Sequence, residues 1–183
     1  MYYLQKYPLA FALLGLFVFA NILFYFASPQ DIVSYIGTEN SYLIAFLFAA
    51  TGGLSAITGS ALYGLLATFA AGGANPWLLG ITGGLGIFIS DSIFFYLARK
   101  GRDIIPPQWS VWVLRIENVV QQCPKWLVLV LMYLYISFLP FPNDVLMIAL
   151  VLGGYTYRTI VPVLFVGSIT IALVASFFGT LWF

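Results

Sequence analysis

The chain alternates long apolar runs with short polar breaks, and the lengths of the runs carry most of the information. Residues 8–27 are apolar over about 20 positions. As helix that is ~30 Å, enough to cross a bilayer once. Ser28-Pro29-Gln30-Asp31 ends this run, and residues 31–41 read as a polar connection that carries Glu39 and no Lys or Arg. Residues 42–74 form a second apolar stretch, too long for one span and too short for two spans with a turn. Gly52-Gly53, Thr58-Gly59-Ser60 and Gly72-Gly73 interrupt it. With Gly59 as the break, each arm is ~22 Å of helix, short of the ~30 Å hydrocarbon core. That arithmetic favours a re-entrant hairpin with its tip at Thr58–Ser60. Two short, tilted helices packed through small residues are the other reading.

Residues 76–98 make a full span. Pro76 suits a first helical turn. Gly80, Gly83, Gly84 and Gly86 offer a face for close helix approach, Asp91 lies inside the span, and Arg99, Lys100 and Arg102 close it. Residues 103–125 are the most polar segment. With Trp109, Trp112 and Trp126 around it, the expectation is a cytoplasmic or interfacial element. Residues 126–155 repeat the arm–turn–arm design. Pro140 and Pro142 break any helix there, and Asn143 and Asp144 follow at once. Residues 159–182 form the last span. The expected fold is an all-α integral membrane protein, one membrane domain over 1–183. It has an N-terminal transmembrane helix (8–27) and then an inverted repeat of re-entrant helical hairpin (42–74, 126–155) plus transmembrane helix (76–98, 159–182).

Composition strengthens the membrane reading. The chain is 62% hydrophobic and 7% charged, against about 25% charged in a typical soluble domain. Its mean hydropathy is +1.02. Continuous apolar runs, rather than alternation, speak against a transmembrane barrel. A net charge of +1 with no charged tail points away from a nucleic-acid partner. There is no His and one Cys, so no cofactor and no metal site is expected, and no nucleophile–base set suggests an enzyme. Residues 1–28 read as a retained helix rather than a cleaved signal peptide, since Lys6 is the only early charge and no small-residue cleavage site follows. All seven Lys and Arg fit on one side, which puts the N-terminus in the cytoplasm and Asp31 and Glu39 outside. Fully spanning hairpins satisfy the charges equally well, so arm length carries the case for re-entrance.

In this architecture the two tips face each other near the midplane. Irregular backbone at that depth must be buried in protein or line a wet cavity, and a carboxylate there is a functional candidate. The candidate substrate- or proton-binding set is Asp91, Asp144, Asn143, Ser60, Gly59, Thr58, Pro140 and Pro142. Asp91 and Asp144 are the protonatable members. Arg99, Arg102 and Arg158 serve as topology anchors or as contacts for lipid phosphate. Simpler roles stand beside these. Asp91 could bond a hydroxyl such as Ser60, Ser92 or Thr58, and Asp144 could cap a helix.

Residues 37–170 resemble the DedA/VTT family of SNARE-associated Golgi-type membrane proteins. The motifs are Ser90-Asp91-Ser92-Ile93-Phe94-Phe95-Tyr96-Leu97-Ala98-Arg99, the proline-rich Phe138-Leu139-Pro140-Phe141-Pro142-Asn143-Asp144, and the exit Gly153-Gly154-Tyr155. Ser90, Phe95 and Ala98 stand where that family prefers Gly, Tyr and Gly. The resemblance implies lipid handling: a flippase or scramblase for phospholipid or polyprenyl-phosphate lipid. Membrane lipids and protons would be its partners, in the plasma (inner) membrane of a prokaryote. An ion- or proton-coupled small-solute transporter and a structural or assembly membrane protein are the alternatives, and homo-oligomerisation is left open.

Overall fold

The computed structural model describes residues 28–52, 56–102, 118, 120–139 and 143–182. The expected helix at 8–27 and most of segment 103–125 lie outside them, as do Pro140 and Pro142. Among the described residues the architecture is entirely helical. The elements are α1 (Pro29–Ile36), α2 (Thr38–Gly52), α3 (Ala56–Ala71), α4 (Pro76–Arg102), α5 (Lys125–Phe138), α6 (Asn143–Leu152) and α7 (Tyr157–Trp182).

Two helices are long and apolar enough to cross a bilayer: 26 residues in Pro76–Gly101 and 25 in Tyr157–Leu181. Each exceeds the ~30 Å of a hydrocarbon core. A third crossing results if α1 and α2, bent by 95° at Gly37, count as one span. The chain is an integral membrane protein. Large apolar side chains such as Ile81, Ile93 and Leu97 on α4 and Val166 and Phe178 on α7 face outward, the surface that acyl chains cover.

The polar stretch 31–41 is helical rather than an open connection. Ser28 caps α1 by accepting from the Asp31 amide at 3.1 Å, and the Asp31 carboxylate reaches back to the Ser28 amide at 3.3 Å. This reciprocal capping box starts a helix in a sequence that hydropathy alone passes over. Gly37, at φ 88°, ends it.

The expected tip Thr58-Gly59-Ser60 lies inside the first turns of α3. A lone glycine costs only about 1 kcal/mol of helix relative to Ala, too little to end a helix by itself. The arms are then 15 and 16 residues, still only ~22–24 Å. The helices of the second pair have 14 and 10 residues.

Both pairs leave by the same turn. Gly73 donates to Ala70 O and Ala74 to Phe69 O; Gly154 donates to Val151 O and Tyr155 to Leu150 O. These are Schellman closures, with Gly73 at φ 97° and Gly154 at φ 76°. A capped long helix follows each. Asn75 Oδ1 accepts from the Trp77 amide at 2.9 Å before α4, and Thr156 O accepts from the Thr159 amide at 3.0 Å before α7.

The long helices α4 and α7 run antiparallel. Trp77 meets Phe177, Gly84 meets Ile169, and Phe88 meets Phe165. On this frame α2 packs on α4 and α3 on α7, whereas α5 packs on α7 and α6 on α4. Tyr42 at the start of α2 accepts from the Asn75 amide, and Ala49 lies against Gly86. The first pair therefore flanks the Pro76 end of α4. Lys125 shares a hollow with Thr156 and Thr159, and Ile136 lies against Gly167. The second pair therefore flanks the Tyr157 end of α7. Two apolar cores result. One contains Ala45, Ala49, Leu66 and Ala172, the other Phe95, Met132, Met147 and Leu164.

Candidate functional site

Asp91 sits near the middle of α4 and is 2% exposed. Fifteen positions separate it from Pro76 and eleven from Arg102, so it stands near mid-height of the frame. Glycines upstream on the same helix let α2 and α7 approach closely enough to seal it. Asn143, the first residue of α6, donates from Nδ2 to Asp91 Oδ2 at 2.8 Å. This bond ties the start of α6 to the buried carboxylate. α6 begins at Asn143, and the first amides of a helix have no partner within it. From the other pair, Tyr63 of α3 stands within electrostatic reach of the Asp91 carboxylate.

Ser92, next to Asp91, turns away from it. Its hydroxyl donates to Phe88 O at 2.6 Å, which leaves the Tyr157 hydroxyl to donate to Ser92 Oγ at 2.8 Å. The bond joins α4 to the start of α7. Tyr157 also stacks on Phe95 and Tyr96. Asp91 is therefore not spent on the hydroxyl of Ser92, and it accepts from an amide of a distant helix.

Of the residues expected from sequence, Asp91 and Asn143 come together. Asp144 is the second residue of α6, and Thr58, Gly59 and Ser60 fall early in α3. Arg99 and Arg158 are exposed at the end of the frame where α4 finishes and α7 starts, away from Asp91, and Arg102 closes α4 at that same end. Lys125 joins them there, on a hollow of about 190 Å³ lined also by Cys123, Tyr155, Thr156 and Thr159. Tyr63 was not legible as a site residue, because a lone Tyr in an apolar run is ordinarily a packing residue. Three serines, Ser90, Ser137 and Ser168, are fully buried. Sequence gives no sign of their special state, since serine in a membrane helix ordinarily bonds its own backbone.

Among the described residues no three His, Cys, Asp or Glu side chains gather as they would for a metal ion. The arrangement can hold or release a proton at Asp91, and it can present the α6 start and the Asn143 amide to a polar group. Comparison with protein-family models, curated proteins and solved structures gives no match.

Proposed function

We propose that the protein moves lipid across the bilayer as a flippase or scramblase, with the buried Asp91 and its partner Asn143 as its polar centre. The observation that carries this reading is the 2.8 Å bond between Asn143 and Asp91 at mid-height of two membrane-crossing helices. A buried carboxylate at that depth is expensive to maintain, and it is held by the start of a helix too short to span. Helix starts attract phosphate through free amides, which suits a phospholipid or polyprenyl-phosphate headgroup. Exposed apolar faces of α4 and α7 would keep the tails in the bilayer meanwhile.

On this reading the two short pairs are re-entrant hairpins entering from opposite sides. Exchanging α4 with α7 exchanges the packing of α2 and α3 for that of α5 and α6, as an inverted repeat requires, and the matched Gly73 and Gly154 exits support the same symmetry. Membership in the DedA/VTT family is part of the proposal. So are a prokaryotic plasma membrane, a cytoplasmic N-terminus, and proton coupling through Asp91. Arg99, Lys100, Lys125 and Arg158 then lie at the cytoplasmic surface, where the hollow beside Lys125 would receive a headgroup first. A proton-coupled transporter of a small solute is the second reading, favoured by how fully α4 and its neighbours enclose Asp91.

The test is movement of a fluorescent phospholipid in proteoliposomes. The wild-type protein transfers it between leaflets, and Asp91→Asn, which removes charge while keeping an amide for Asn143, slows transfer at least ~10-fold. Transfer by Asp91→Asn at the wild-type rate would sink the carboxylate mechanism. Solute-dependent proton flux without lipid transfer would favour the second reading.

A further inference from the structure

The end of the frame where α4 finishes and α7 starts is its cationic end. Arg99, Lys100, Lys125 and Arg158 are exposed there, and Arg102 closes α4 at the same end. The carboxylates of Asp31 and Glu39 belong to α1 and to the first turn of α2, which pack at the opposite end. In a chain with 7% charged residues this separation gives one end a positive field.

A basic residue at a membrane boundary is ordinarily a topology anchor. Lys125 differs because it stands on a hollow of about 190 Å³. Two stretches distant in sequence build the walls, residues 120–125 and the run from Gly153 to the first turn of α7, with Val120 lying against Gly153. Among the described lining residues Lys125 is the one charge, and no carboxylate answers it. Further donors stand beside it. Thr156 and Thr159 bond each other through their hydroxyls at 2.9 Å, which uses one proton and leaves the other to donate outward. Thr156 O takes the Thr159 and Ile160 amides, so α7 begins at this wall, and the first amides of a helix have no partner within it.

These features select an anion with several acceptor oxygens. A phosphate accepts from an ammonium, a hydroxyl and amides together. A choline or ethanolamine ammonium would meet Lys125 with no carboxylate to hold it.

We propose that the hollow beside Lys125 binds the phosphate of an anionic membrane lipid, at a site separate from Asp91, which stands near mid-height of α4. The proposal rests on the lipid reading for the source of the phosphate, a lipid rather than a soluble ion, and binding is read apart from transfer.

The test is native mass spectrometry of the full-length protein released from neutral detergent, with dioleoyl phosphatidic acid or dioleoyl phosphatidylcholine added. The wild-type protein should bind phosphatidic acid at least ~10-fold more tightly. Lys125→Gln should remove that preference, and Arg158→Gln, a cation at the same end outside the walls, should keep it. Equal affinity for the two lipids overturns the proposal. So does a preference that survives Lys125→Gln, or one that both variants lose equally, which would make it a property of the whole charged end. Inorganic phosphate at the concentration of the lipid should leave phosphatidic acid bound; displacement would assign the hollow to a soluble phosphate and overturn the lipid. Lys125-dependent binding by protein that transfers no lipid in proteoliposomes would contradict lipid movement and leave this site standing.

Discussion

The two helix pairs share a plan and differ in material. The first pair mixes small residues with large ones, Leu62, Leu66 and Phe69, in its contact with the frame. Ala45, Ala49, Ala70 and Ala74 are buried there, and Gly86 lies against the Phe46 carbonyl and Ala49. Backbones approach closely, as in helix contacts made without a hydrophobic drive between helices. The second pair packs through bulk: Phe95, Met132, Ile136, Met147, Leu150 and Leu164 fill its core. The second pair supplies the Asn143 hydrogen bond to Asp91. Shape is thus repeated in different side chains.

That contrast can be broken in order of effect. Where packing is backbone to backbone, added volume is the most damaging change. A Cβ at Gly84 would stand 2.6 Å from Ile169 Cα and 3.0 Å from the Ser168 carbonyl, and backbone cannot yield as a side chain does. Gly84→Leu should leave no folded protein in detergent, as read by size-exclusion chromatography. In the bulky core the sensitive change is lost volume. Phe95, 0% exposed, replaced by Ala should cost about 3–5 kcal/mol in a denaturation titration. A Phe95→Ala variant as stable as wild type would show that the second core is loosely filled.

The matched exits predict a matched and smaller effect. Gly73 and Gly154 both have positive φ, and nothing lies within 4 Å of a Cβ at either. Gly73→Ala and Gly154→Ala should therefore each cost only the backbone term, about 1–2 kcal/mol. Unequal losses would mean that the two turns carry different loads and that the likeness of the halves is superficial.

Much of this plan could be read from residue order, and the failures have physical causes. Pro76 is unambiguous punctuation, and α4 starts on it. Asp91 declares itself by being charged inside a span. Thr58-Gly59-Ser60 is helical because a lone glycine costs only about 1 kcal/mol relative to Ala, too little to end a helix by itself. Residues 31–41 looked like a connection because capping by Ser28 and Asp31 is local chemistry that hydropathy does not register. The Asn143–Asp91 bond joins positions 52 residues apart, and no local pattern encodes such a pairing. The approach of Tyr63 and the state of the three serines likewise depend on which helix faces which.

The central claim is that both short pairs turn back near the middle of the bilayer. Its most direct test is the depth of the two turns. Thr51, near the end of α2, and Leu139, which ends α5, are both exposed, and each can carry a single fluorescent label once Cys123 is replaced by Ser. In liposomes, lipids quenching near the bilayer centre should extinguish both labels most strongly, while an aqueous quencher leaves them bright. Strong quenching of either label by the aqueous reagent, with none from central lipid positions, would contradict the account and make that pair a fully spanning hairpin.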